Sequence, residues 1–207
     1  MKREHAPIFV LRHGETLWNT ELRLQGTRDS SLTERGRAQA RAMGRSLAAA
    51  LQADIAAYGE PLFVASPLGR TRETALIIGE ALGLAAAAWR HDPRLAELSY
   101  GSWEGRMVRE IEAEQPGVMA RWRATPLDFD PPGGETHLQL RARSQSFLGE
   151  ALQSARPLVI VGHGVAGAML RGLYLGLSPA EIFVLEKPQT AFFRLFGGEA
   201  SKIETSF

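Results

Sequence analysis

Residues 158–167 read LVIVGHGVAG: Leu158 to Val161 make an apolar run, Gly162-His163-Gly164 a small polar cluster, and helix-period sequence follows from Val165. Four apolar residues behind Pro157 are too few for a helix and rich in strand formers, so the run reads as a buried strand. The same unit of strand, polar cluster and helix occurs twice upstream. Ile8-Phe-Val-Leu11 follows Pro7 and leads into Arg12-His13-Gly14-Glu15, and Leu62-Phe-Val-Ala65 follows Pro61 and leads into Ser66-Pro-Leu-Gly-Arg70. Helical spacing then covers Thr33 to Leu51, with Met43, Leu47 and Leu51 on one stripe and Thr33 as N-cap. It also covers Thr71 to Leu82, with Ala75, Ile78 and Leu82 on one stripe, and Leu138 to Leu152. Ala191 to Phe196 reads as a late strand before the Gly197-Gly198 turn. Strands alternating with helices predict an α/β fold, a three-layer α/β/α sandwich around a mostly parallel sheet. Ligands of such sheets bind beyond the carboxyl ends of the strands, where all three polar clusters fall. The clusters are therefore expected to converge.

Composition narrows the chemistry. Lys plus Arg (24) against Asp plus Glu (23) leaves a formal charge of +1, so no general basic field recommends nucleic acid or an anionic membrane. Cysteine is absent, which removes disulfides, thiolate metal sites and a cysteine nucleophile together, and fits a reducing compartment. The apolar run behind Lys2 and Arg3 is shorter than a signal peptide core, and no segment approaches the ~18 apolar residues of a membrane span. These features predict a cytoplasmic protein. The 207 residues, without a composition break, read as one domain over 1–207. Between Glu97 and Glu135 the periodicity is poor, with tryptophans and prolines among charges, as in a binding loop or lid.

GHGVAG also satisfies the glycine pattern of a dinucleotide site. That fingerprint normally opens a nucleotide-binding domain and is followed about 20 residues on by an acidic residue at a strand end. Here it lies near the C-terminus, and Glu186 precedes the next strand instead of ending it. The histidines are the stronger reading. His13-Gly14 and His163-Gly164 stand at strand ends, where glycine allows close backbone approach to a ligand and the following helix N-terminus favours an anion. Arg12 and Arg70 lie at the same sheet end, and a guanidinium fork binds phosphate oxygens bidentately without losing its charge. Two arginines, two histidines and helix N-termini describe a pocket for a tetrahedral dianion. With neither cysteine nor a P-loop lysine, imidazole is the best nucleophile toward phosphorus that the chain offers.

VLRHGETLWN at 10–19 resembles the signature of the histidine phosphatase superfamily, the phosphoglycerate-mutase-like proteins. The resemblance continues through Leu24-Gln25-Gly26, Asp29 to Gly36, SPLGRTRETA at 66–75, LAELSYGSWEG at 95–105, PPGGET at 131–136 and GHGV at 162–165. Each motif is weak alone, but their order and spacing are specific. The resemblance implies a phosphoglycerate-mutase-like fold with a substrate-capping insertion at about 98–135. It implies that His13 becomes phosphohistidine, that Arg12, Arg70 and His163 bind the phosphoryl group, and that Glu97 protonates the leaving oxygen. Asn19 matches a phosphate contact and Gln25-Gly26 a substrate loop. Gly164 and Tyr100 complete the expected substrate-binding set. His13 must be neutral at Nδ1 or Nε2 to attack, a form that neighbouring arginines favour. Phosphoryl transfer needs positioning, charge neutralisation and a proton donor, so neither metal nor cofactor is expected.

Plainer readings apply elsewhere. His5, His91 and His137 have no motif context and read as structural; one of Arg70 and Arg72 could be a solvated charge, and with Arg70 matched to the family pattern Arg72 reads as structural; Trp103 and Trp122 read as packing. Glu97 could instead cap a turn. A zinc hydrolase lacks the helical His pair that its ligand set usually needs. A non-catalytic phospholigand-binding module on the same fold is a rival, but such modules are expected to lose the nucleophile or the proton donor, and both stand here. Dedicated mutases of the family resemble longer chains with adjacent arginines followed by serine in the cap and a C-terminal tail. This chain reads Arg121-Trp122-Arg123-Ala124 there and ends about ten residues past Phe196, its last predicted strand residue. The expected activity is hydrolysis of a small phosphorylated metabolite, with a 2,3-bisphosphoglycerate-dependent mutase as alternative. The sequence leaves the substrate, set by 106–130, and the roles of Arg72, Arg121 and Arg123 open. A homodimer through an apolar sheet edge is compatible with it.

Overall fold

A computed structural model describes residues 5–124 and 130–207, apart from the side chain of Arg123. Six strands form one sheet: β1 (Ile8–Arg12), β2 (Leu62–Ala65), β3 (Trp89–His91), β4 (Leu158–Gly162), β5 (Ala191–Phe196) and β6 (Glu199–Glu204). Their order is β3-β2-β4-β1-β5-β6. β3, β2, β4 and β1 are parallel, while β5 runs antiparallel to β1 and β6 antiparallel to β5. The helices are α1 (Leu17–Thr20), α2 (Glu34–Tyr58), α3 (Gly69–Ala81), α4 (Val108–Glu114), α5 (Val118–Ala124), α6 (His137–Ala151), α7 (Gly164–Leu175) and α8 (Pro179–Val184).

Alternation along the strands builds the three layers. Phe9, Leu11, Val159 and Val161 pack with α2 and α3 through Met43, Leu47 and Ile78. Ile8, Val10, Leu158 and Ile160 point the other way, onto α6 and α7 through Phe147, Leu148 and Leu170. At roughly 1.5–3 kcal/mol for each fully buried large apolar side chain, these two faces fix the sheet between its helices. A third cluster, with Leu98, Trp103, Ile111, Met119, Leu140 and Met169, ties α4 and α5 to α6 and α7. The segment expected to be a lid therefore carries two packed helices, α4 and α5, between loops; residues 125–129 of that expected insertion lie outside the described residues. No helix among the described residues is long and apolar enough to cross a membrane.

Two strands escaped the sequence reading. β3 is a three-residue edge, and β6 carries mostly exposed side chains opposite β5. β6 occupies most of the residues that follow Phe196. α2 also runs past Leu51 to Tyr58, where Gly59 at φ 79° ends it.

Candidate active site

Register brings the polar clusters together. Arg12 lies opposite Gly162 and Ala65 opposite Val161, so three strand ends finish level. Hydrogen bonding continues one step further on both sides of β4: His13 N–H donates to Gly162 O (3.0 Å) and Ser66 N–H to Val161 O (3.0 Å). His13 and His163 consequently face each other with ring centroids 5.3 Å apart and planes at 63°.

The His13 tautomer follows from its neighbours. Nδ1 sits 2.7 Å from the Gly14 carbonyl oxygen, which can only accept, so Nδ1 carries the proton and Nε2 the lone pair. Burial, then the fields of Arg12 and Arg70, hold the His13 pKa well below the usual histidine range. His163 is held low in the same way by burial, followed by Arg70, His13 and Arg12. Its Nε2 lies 2.7 Å from Ser66 Oγ, and its Nδ1 is buried without a protein partner.

The arginines are anchored on one side only. Arg70, 2% exposed, donates through Nη1 to Arg28 O (2.7 Å) and Asp29 Oδ1 (2.9 Å) and through Nη2 to Gly26 O (2.7 Å). Arg12 donates through Nη1 to Lys187 O. Among the described residues, Nε of each is a buried donor with no partner, His163 Nδ1 is likewise unpaired, and Gln25 Oε1 is a buried acceptor with none. Most buried polar atoms in a folded protein are paired, so this gathering of unpaired ones at one sheet edge is the signature of a polar ligand site.

Glu97 takes an unexpected post. Its Oε1 accepts from Leu98 N–H (3.0 Å) and Ala166 N–H (2.9 Å), and its Oε2 from Val165 N–H (3.0 Å). His163, the N-cap residue of α7, makes no side-chain capping bond, so Glu97 satisfies the orphan donors of that helix. The capping reading of Glu97 is thus realised, at the helix rather than at a turn. Its position still brings its charge to bear on Arg12, Arg70 and Tyr100. Tyr100 is buried, and burial drives its phenol pKa upward.

Asn19 caps its own helix, accepting from Thr16 N–H (3.1 Å), and joins the site through Gln189, whose Nε2 reaches both Asn19 Oδ1 and His13 O at 3.2 Å. Gly26 has φ 56°, and a Cβ there would stand 2.1 Å from the Glu104 carboxylate. Glu104 is the staple that sequence reading missed: it accepts from Thr27 and Ser99 and from Tyr100 N–H (3.0 Å), holding the Gln25-Gly26 loop against the ELSYG turn. A Cβ on Gly164 would meet Arg12 Cζ at 3.4 Å. Ser66, Lys187 and Gln189 were also missed. Ser66 and Glu104 stood in quoted motifs without being singled out; Lys187 and Gln189 did not. Arg72 and Arg121 are exposed. Among the described residues, no three of His, Cys, Asp and Glu are grouped to hold a metal ion.

Residues 8–201 match the model of the histidine phosphatase superfamily, branch 1. The chain belongs to the histidine phosphatase superfamily. Relatives in this superfamily include the probable phosphoglycerate mutase GpmB of Erwinia tasmaniensis, 37% identical over 177 residues, which cover 82% of this chain and 75% of the relative. The glucosyl-3-phosphoglycerate phosphatase of Mycobacterium tuberculosis is 35% identical over 184 residues, covering 84% and 77%. The solved structure of the mycobacterial glucosyl-3-phosphoglycerate phosphatase complexed with VO3 superposes with a TM-score of 0.79 at 32% identity, over 96% of each chain. Phosphatases and mutase-like enzymes by name, these relatives make the chain a histidine phosphatase enzyme with the expected mostly parallel α/β fold.

Proposed function

We propose that the protein hydrolyses a small phosphate monoester through a phosphohistidine on His13, without a metal ion. The observation that carries this reading is the His13 tautomer: Nδ1–H is spent on Gly14 O, so a neutral ring turns its Nε2 lone pair outward among the unspent donors of Arg12, Arg70 and His163. Nε2 attacks phosphorus and the ester P–O bond breaks, its electron pair leaving on the alcohol oxygen. Arginine Nε–H groups neutralise the charge that develops on the equatorial oxygens, and the neutral His163 ring donates a hydrogen bond to it. Ser66 Oγ accepts from Leu68 N–H at 3.4 Å and can donate to His163 Nε2, which puts the His163 proton on Nδ1. Glu97 supplies the proton to the leaving oxygen. Oε1 already accepts two N–H groups and Oε2 one, which makes Oε2 the oxygen to carry it. Water then attacks the phosphohistidine with Glu97 as base, and phosphate departs.

Asn19, Gln25, Gly26, Gly164 and Tyr100 are assigned to substrate contact on the strength of their places around this centre. A second reading, a mutase using 2,3-bisphosphoglycerate, draws on the name of the Erwinia relative. A phosphorus NMR time course with 3-phosphoglycerate, a trace of 2,3-bisphosphoglycerate and EDTA separates the two: inorganic phosphate supports hydrolysis, whereas 2-phosphoglycerate establishes the mutase. His13→Ala is expected to lose turnover by more than about a thousandfold and to trap no label. Glu97→Gln is expected to bind substrate yet slow phosphoryl transfer by about 10²–10⁴. Full activity in His13→Ala would sink the mechanism.

A further inference from the structure

Beside the phosphoryl site lies a cavity of about 220 Å³ whose walls are mainly Val108, Met119, Trp122, Met169, Ile182 and Phe183. It borders the catalytic centre through its wall residues. Tyr100 lines it and lies in the fields of Glu97, Arg12 and Arg70. Val165 lines it and donates its N–H to Glu97, and Lys187 lines it and receives Arg12 on its carbonyl. Among the described residues, the walls carry no carboxylate, amide or guanidinium. A polyhydroxylated group would lose its water there and find few partners, at a heavy cost in affinity. An apolar cavity of about 150 Å³ is enough for a benzene ring.

Polar ends break the apolar wall at Tyr100, Lys187 and His137, and the Lys187 ammonium already donates to Phe183 O (3.0 Å) and Leu185 O (2.9 Å). His137 begins α6, is 5% exposed, and has both ring nitrogens buried without a partner among the described residues. Its ring lies 6.2 Å from that of Phe183. Burial, the main influence, lowers its pKa against the opposing fields of Asp130 and Glu135, so it presents one donor and one acceptor. Such a pair in an apolar pocket is the arrangement that orients a ligand.

We propose that this cavity receives the alcohol part of the substrate, which is the phosphate monoester of an alcohol built on a single aromatic ring with one hydrogen-bonding substituent met by His137. The assignment rests on His13 as the phosphoryl acceptor, and it departs from the glucosyl-3-phosphoglycerate named for the mycobacterial relative. The test pairs binding with turnover. 2-Phenylethylphosphonate and 3,4-dihydroxybutylphosphonate, inert analogues of benzyl phosphate and glycerol phosphate, are titrated calorimetrically. Both parent esters, which release primary alcohols, are assayed for phosphate. The phenyl compound is expected to bind at least about tenfold tighter, with benzyl phosphate favoured similarly in kcat/KM. Phe183→Ala is expected to shrink that ratio. A 3-hydroxyl on the benzyl ring is expected to improve kcat/KM in the native protein and not in His137→Phe. Equal or reversed binding overturns the cavity assignment while turnover of either ester leaves the phosphatase reading standing. A hydroxyl with no effect in the native protein overturns the part given to His137. The expected binding order without turnover of any ester upholds the ligand class and overturns the phosphatase reading.

Discussion

His13 and His163 are each kept neutral by burial first and by arginine charge second, and that has a cost in acid. Both folded pKa values lie below the unfolded value near 6.5, so below about pH 6.5 the unfolded chain takes up protons that the folded one refuses. Stability therefore falls on acidification, by up to about 2.7 kcal/mol per pH unit for the two groups together, until the folded values are reached. Denaturant midpoints measured from pH 7 down to pH 5 check this; a flat profile would contradict it. Ser66 makes a second prediction. Its hydroxyl is the partner of His163 Nε2, and Ser66→Ala is expected to lower kcat by about ten- to a hundredfold, with KM little changed. Arg12, His13, Arg70, His163 and Glu97 all stood in readable motifs. Ser66 and Glu104 stood in motifs too, but their partners, like the places of Lys187 and Gln189, come from tertiary register, which no local pattern announces. His137 is the sharpest case: as a sequence residue it has no context, and only burial beside Phe183 gives it one.

At the scale of elements, the nucleophile loop rests on α2 by backbone contact. A Cβ on Gly14 would stand 2.2 Å from Gly36 O, and one on Gly36 would stand 2.0 Å from Glu15 O. Two facing glycines let the loop after β1 sit directly on the first turn of α2, whose Thr33 cap accepts from Gly36 N–H and donates its hydroxyl to Glu15 Oε1. Gly36→Ala must push these apart, with an expected loss of about 1–3 kcal/mol in stability and a larger proportional loss in kcat/KM, read by thermal unfolding and kinetics on the same sample. β1, β2 and β4 were readable because strands covered on both faces are continuously apolar. β3 and β6 were not. Edge strands meet solvent, carry mixed side chains and offer no such run, as the Glu199 to Glu204 sequence EASKIE illustrates. The packed helices α4 and α5 were read as irregular because only seven residues each are available to display a period.

For the molecule as a whole, a formal charge of +1 conceals a concentrated positive site: Arg12, Arg70 and Lys187 share one sheet edge. Steering of a dianion into it is screened by salt, since the Debye length shortens from about 10 Å at 0.1 M to about 3 Å at 1 M. Raising ionic strength across that range is expected to lower kcat/KM severalfold while kcat changes little; an equal loss in both would point to damage rather than screening. The strand order has a different consequence. β4 enters between β1 and β2, so the partners of the centre come from distant parts of the chain: His163 and Ser66 are 97 positions apart, Gln189 and His13 176. No local segment can recruit these groups early, because closing such long loops is entropically expensive before the sheet rewards it. During refolding, catalytic competence is consequently a late event, regained only when the central strand has been inserted, and enzyme activity serves as a clock for the completion of the sheet.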